Sequence, residues 1–263
     1  RLPGLSLPER AWGVVRRWAL AWWRILYLGA VVCVLVLSPS SYGKVTRRAL
    51  ARHLYLDTAP VLLGFTVLAA LISLVLTRIV VVTAISYGLS RYALEMVIRV
   101  LVLELIPLTA ALFVAMRCTI PNGTQLALLR QSGHLARLSH AGADPIRVEL
   151  LPRAVAGVFA CITLAALSCV VALVLAYLGV YGFSLAGLPS YTRMFGHVFA
   201  PAVTLVFVIK TVLFSLAVAL IPMAAGLYDT GERTQPDSEL GGLARMFAVL
   251  LLIEIGSLVG NYY

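Results

Sequence analysis

The sequence predicts an all-α integral membrane protein: an amino-terminal interfacial helix followed by five transmembrane helices. Three observations carry this. Of 263 residues, 61% are hydrophobic and only 12% charged, against about 25% charged residues in a soluble domain. The apolar residues fall in runs long enough to cross a bilayer, which takes about 20 residues. The basic residues are distributed unevenly between the segments that join those runs. An ordinary soluble enzyme is excluded for want of surface charge, and a disordered chain for excess hydrophobicity.

Residues 1–53 read as an interfacial amphipathic region and 54–263 as one transmembrane domain. Over 9–26, Arg10, Arg17 and Arg24 fall on one helical line, with Glu9, Gly13 and Arg16 beside it. Trp12, Trp18, Trp22, Trp23, Ile25 and Leu26 cover the rest. A basic stripe opposite tryptophans suits a helix lying in the membrane interface. The alternative is a first span at 18–37. It would enclose Arg24 and would carry equally basic flanks on both sides. No small-residue cleavage site follows the apolar run 31–37, so no cleavable signal peptide is expected.

The spans follow in order. The first is 58–77, free of charge. Residues 78–92 read as a short connection with Ser86, Gly88 and Ser90 as turn residues. The second span is 93–116. The third lies within 154–181 and the fourth is 201–227. Residues 182–196 and 228–242 read as loops, and the fifth span is 243–260. With the amino terminus inside, the inner segments hold 16 Lys and Arg and the outer ones three, Arg78, Arg91 and Arg193. That imbalance orients the chain with its amino terminus cytoplasmic and its carboxyl terminus outside. The net charge of +10 is then the positive-inside bias, and no nucleic-acid partner is expected.

Nucleotide and metal signatures are missing from the sequence. There is no G-x-x-x-x-G-K-[ST] loop and no H-E-x-x-H. His53, His134, His140 and His197 are scattered, so no metal site and no catalytic residue is assigned. Cys33, Cys118, Cys161 and Cys169 form no C-x-x-C pair and read as packing residues.

The informative residues are ionisable and lie inside spans: Glu95, Arg99, Glu104, Lys210 and Glu254. A charge at mid-bilayer costs at least about 2.5–3.5 kcal/mol, so each needs a partner or a polar cavity. Glu95 and Arg99 can pair along one helix. A contact of Lys210 with Glu104 or with Glu254 would neutralise charge and tie three helices together. Pro107 cannot bond the carbonyl of Leu103, so the second span should kink there. On the basic side, 125–144 has helical spacing, with Leu126, Leu129, Gly133, Leu135 and Leu138 among Arg130, His134 and Arg137. Asp144-Pro145 ends it and Pro152 resets the chain. A short amphipathic helix there suits docking of a soluble partner, or lies on lipid headgroups.

Three stretches resemble the MlaE-type (YrbE-like) permeases of lipid-transporting ABC systems. Leu103-Glu104-Leu105-Ile106-Pro107-Leu108-Thr109-Ala110-Ala111-Leu112 resembles the family's L-R-E-L-G-P-V-x-T-A-L run. Gly142-Ala143-Asp144-Pro145, followed by Leu151-Pro152-Arg153, resembles its V-D-P…P-R signature. Val208-Ile209-Lys210-Thr211-Val212-Leu213-Phe214 resembles its I-K-S-x-x-F segment, and Glu254 falls where the family tends to carry an acid. The likeness covers roughly residues 45–260.

The resemblance implies a dimeric permease, formed with a second copy or a paralogue, in the bacterial inner membrane. An ABC ATPase subunit would dock through Gln125, Leu129, Arg130, His134, Arg137, Leu138 and Asp144. ATP and Mg would reside on that subunit, with no cofactor on this chain. An MCE-domain protein would sit outside. Membrane lipid, a phospholipid or another acyl lipid, would pass through the dimer, with Glu104, Lys210 and Glu254, beside Arg99 and Pro107, along the path. Gln125 stands where the family has an acid, Gly133-His134-Leu135 where it often has Glu-Gln-Leu, and Asp229-Thr230-Gly231-Glu232-Arg233 where it has a Gly-rich loop. A specialised or heterodimeric member would fit these departures. The readings from other classes are an intramembrane enzyme, active without an ATPase, and a scaffold that only anchors partners.

Overall fold

The computed structural model describes residues 7–228 and 237–262, and these are helical almost throughout. In chain order the helices are α1 (Leu7–Leu37), α2 (Lys44–Ser86), α3 (Ser90–Val97), α4 (Ile106–Val114), α5 (Ile120–Gln131), α6 (His134–His140), α7 (Leu151–Tyr181), α8 (Leu188–Val198), α9 (Pro201–Tyr228) and α10 (Asp237–Tyr262). Six stretches are long and apolar enough to cross a membrane: Val15–Leu37, Thr46–Ser86, Tyr92–Gln131, Ile146–Tyr181, Pro201–Tyr228 and Gly241–Asn261.

Length explains the first departure from the sequence reading. At 1.5 Å per residue, the 43 residues of α2 run about 65 Å, twice the hydrocarbon thickness. The charge-free stretch 58–77 is only the middle of that rod. Residues 78–86, expected as connection, continue the helix. The turn comes at Gly88, whose φ of +71° suits glycine alone at no steric cost.

The path from Ser90 to Gln131 is one helical rod of alternating pitch. Wide π-type turns occupy Ile98–Leu105 and Ala115–Thr119, and a third, Ile146–Leu150, leads into α7. Each ends two residues before a proline: Pro107, Pro121 and Pro152. Proline has no N–H for the carbonyl four residues back, and its ring presses on that carbonyl. Opening the turn to i→i+5 spacing relieves both conflicts. The disturbance expected at Pro107 therefore takes the form of a wide turn, and the same rule works twice more.

Two further corrections are local. The docking helix expected over 125–144 is two helices. Gly133 sits at φ +72° between α5 and α6, a left-handed conformation that ends the first and re-aims the second. Residues 182–196, expected as a loop, contain α8, which Pro189 opens at its first turn. Tyr191, Met194 and Val198 pack inward from it, and the Tyr191 hydroxyl donates to the Leu173 carbonyl at 2.8 Å. Most of the loop expected over 228–242 lies outside the described residues.

The core is built on α7 and α9, which pack on each other through small side chains. Ala160, Cys161, Leu164 and Ala165 face Phe214, Ala217, Val218 and Ile221 around a buried seam. Small residues let membrane helices approach closely, and dispersion between them replaces the hydrophobic drive that oil cannot give. The closest crossing is α5 on α9. A Cβ built on Gly123 would stand 2.5 Å from the Pro222 carbonyl oxygen, and one on Gly226 would stand 2.1 Å from that of Gly123. Only glycine at both positions permits this contact. Cys118, Cys161 and Cys169 are buried as expected of packing residues, whereas Cys33 is exposed on α1.

Candidate functional site

Lys210 is the most deeply buried charge among the described residues. Its side chain is 1% exposed, held at mid-helix on α9. Three groups from two other helical rods converge on its ammonium. Glu104, in the wide turn before Pro107, receives a hydrogen bond through Oε2. Glu254 of α10 places Oε2 2.9 Å away. The Leu103 carbonyl accepts from Nζ at 3.2 Å. The Phe214 ring, one turn along α9, lies 5.7 Å from the charge, inside cation–π range.

The local reasons are legible. Leu103 is the carbonyl that Pro107 leaves without its i→i+4 partner, so it is open to an outside donor. The widened turn also re-aims Glu104, because an added residue per turn rotates the side chains that follow. Lys210 satisfies the requirement that a charge in hydrocarbon be paired. The sequence offered a contact of Lys210 with one acid or the other; the fold supplies both. Arg99 sits apart from this cluster, its Nε donating to Glu95 at 3.1 Å, which is the pair expected along one helix. Pro107 is buried beside Glu104.

A second polar assembly lies at the end of the bundle that carries α6. His134 Nε2 is 3.4 Å from Glu149 Oε1. Glu149 in turn pairs with Arg153, a guanidinium with only 9% of its side chain exposed. Across from it, the Asn122 amide donates to Asp57 Oδ2 at 2.9 Å, and His53 Nδ1 lies 4.0 Å from the same oxygen. Sequence reading missed Glu149, Asp57 and Asn122 as members of one layer. The available signal was the i,i+4 spacing of His53 with Asp57 and of Glu149 with Arg153. That spacing is common enough on helices to carry little weight alone.

The seven docking candidates differ in exposure and in what they touch. Arg130 donates through Nη1 to the Leu227 carbonyl at 2.8 Å, capping the end of α9. Leu129 and Leu138 are half-buried, and Gln125 and Arg137 are exposed. Arg137 reaches back to the Ser132 carbonyl at 3.3 Å. Asp144 is exposed; its Oδ1 accepts from the Ile146 amide at 3.0 Å and starts the next helical segment. The arrangement ties α5 to α9, and α6 to the turn that leads into α7, with Arg137 and Gln125 at the surface.

The sequence model of the family described as Permease MlaE matches residues 50–258. The chain belongs to the MlaE permease family. It is accordingly a multi-pass membrane permease, a transport subunit of the family associated with lipid ABC transporters. The MlaE match spans all three assemblies: the buried lysine with its acids, the layer around Glu149 and Asp57, and the α5–α6 segment. A search of curated proteins finds no match.

Proposed function

We propose that this MlaE-family chain conducts membrane lipid, a phospholipid or another acyl lipid, in a dimer with a second copy or paralogue, powered by ATP hydrolysis on a separate subunit. The observation that carries the reading is Lys210 held by two acids from separate rods in the hydrocarbon zone. Two carboxylates and an ammonium are costly there, and a protein that needed only a stable core would do as well with apolar side chains. Polar groups at that depth belong beside a path that must be wetted or opened. The family likeness supports lipid as the cargo class.

Five spans and one interfacial helix is the architecture we assign, with residues 1–53 as the interfacial region and 54–263 as the transmembrane domain. Support comes from where α1 packs. Leu28, Val32 and Leu35 form its buried stripe, and their neighbours are Leu126, Leu150, Leu151, Ala154, Met223 and Ala224. Leu150, Leu151 and Ala154 lie where the chain enters α7, and Met223 and Ala224 lie near the end of α9. Trp12, Trp18 and Trp23 stand outward, more than 60% exposed, as in a helix bedded among headgroups. The basic-residue count supports a cytoplasmic position for that end and an outside carboxyl terminus, and the family likeness supports a bacterial inner membrane.

An ABC ATPase docks on α5 and α6 in this reading, and an MCE-domain protein meets the opposite end. Docking force has a route to the buried lysine. Arg130 holds the end of α9, and Gly123 and Gly226 interlock α5 with α9. Lys210 is on α9. A shift of α5 therefore moves the helix that carries the ammonium. The test is lipid transfer and lipid-stimulated ATP hydrolysis by the purified complex. Lys210→Ala and Glu104→Ala should abolish transfer while the complex still assembles. Transfer at the wild-type rate in either variant removes the cluster from the mechanism.

A further inference from the structure

The charges around Lys210 do not balance. Glu104 and Glu254 bring two carboxylates to one ammonium, and all three side chains are withdrawn from solvent, at 12%, 14% and 1% exposure. Fully ionised, the cluster carries one net negative charge in an apolar surrounding. No other charged side chain among the described residues pairs with it: Arg99, the next cation along the helix of Glu104, is taken by Glu95.

Hydrogen bonding fails to close in the same place. The lysine has three donors. Glu104 Oε2 and the Leu103 carbonyl accept from it, and Glu254 Oε2 lies at ion-pair distance. Among the described residues, Glu104 Oε1 and Glu254 Oε2 are buried without a hydrogen-bond donor. Both carboxylates reach the same ammonium, so the two acids share one buried site. Two ionised carboxylates at one site are acceptors only, and neither has a hydrogen bond to offer unless one of them gains a proton. Carboxylates that share a site resolve their repulsion in that way.

We propose that the Lys210 cluster is a proton-binding site, holding one proton between Glu104 and Glu254 so that the three side chains are neutral together. The proton turns one carboxylate into an O–H donor for the other and removes the excess charge in a single step. The site belongs to the permease chain and needs neither ATP nor lipid. A movement that separates α10 from α9 and admits water would break the sharing and free the proton. The inference rests on charge count and geometry, and it stands apart from the identity of the cargo.

Infrared spectroscopy of the full chain at neutral pH tests it. An ester-free detergent keeps lipid carbonyls out of the acid carbonyl region. The wild-type minus Glu254→Gln difference spectrum should contain one protonated-carboxyl stretch that shifts on deuterium exchange. Glu104→Gln should remove the same band, because the surviving carboxylate then pairs one-to-one with Lys210 and has no cause to keep a proton. Lys210→Met should raise the intensity to two acid carbonyls. A wild-type spectrum with no band sensitive to either glutamine substitution, or an acid band that survives in Glu104→Gln, overturns the proposal. Because both glutamine variants keep shape and neutrality, the result does not hang on the folding of Lys210→Met, and it is read whether or not lipid is transported.

Discussion

Lys210 on α9 donates to the carbonyl of Leu103, 3.2 Å away on another helix. That carbonyl is free because Pro107, four residues on, has no N–H to offer it. The proline and the lysine are thus one device: the first vacates an acceptor inside the membrane and the second fills it. The wide turn between Ile98 and Leu105 gives the device its room.

Removing the lysine should be the most damaging single change at this site. Lys210→Ala leaves two carboxylates and a carbonyl buried without their cation. Breaking a buried ion pair costs about 3–5 kcal/mol. Thermal unfolding of the purified chain should shift down by several degrees. An unchanged midpoint would mean that the cluster adds nothing to stability.

Pro107→Ala restores an N–H that competes with Lys210 for the Leu103 carbonyl. The turn should tighten toward α-helical pitch and Glu104 should rotate out of register. Lipid transfer is expected to fall at least tenfold with little loss of thermal stability, since alanine is a better helix former. Comparable transfer rates in variant and wild type would separate the proline from the path.

At the crossing of α5 and α9, Gly226→Ala forces a methyl group to 2.1 Å from the Gly123 carbonyl oxygen. Backbone cannot yield as a side-chain tip can, so the helices must part. Overpacking of this kind costs about 1–3 kcal/mol. Gly64→Ala is the control: its Cβ meets nothing within 4 Å, so it should be neutral or slightly stabilising in the same unfolding assay.

Gly133→Ala tests the break between α5 and α6. Its φ of +72° costs an L-residue about 1–2 kcal/mol. The strain is relieved by swinging α6, so His134 should leave Glu149. Stimulated ATP hydrolysis by the complex should drop more than the melting temperature does. The reverse ranking would mean that α6 is dispensable to docking.

Glu149→Ala strands Arg153, whose side chain is 9% exposed. An unpaired guanidinium at that burial should cost about 1.5–3 kcal/mol through its lost charged hydrogen bonds. Glu149→Gln, which keeps an acceptor, should recover part of the loss when both variants are compared by thermal unfolding.

The sequence by itself determined the membrane class, the family, the positions of the buried charges and the disturbed helix at Pro107. All of these rest on local chemistry: an apolar run, a missing N–H, a charge too costly to leave in lipid. It did not determine helix ends, because charge-free windows mark only where oil begins, and α2 and the rod from Ser90 continue as helix beyond it. Nor did it show that 125–144 breaks at Gly133, since a glycine within a helical pattern is compatible with either outcome until its φ is known. Only the tertiary structure brought Glu104 and Glu254 onto the same ammonium, and His134, Glu149 and Arg153 into one layer. Those meetings depend on how α7, α9 and α10 pack, and packing among small residues in hydrocarbon follows shapes summed over whole helices, which no short motif encodes.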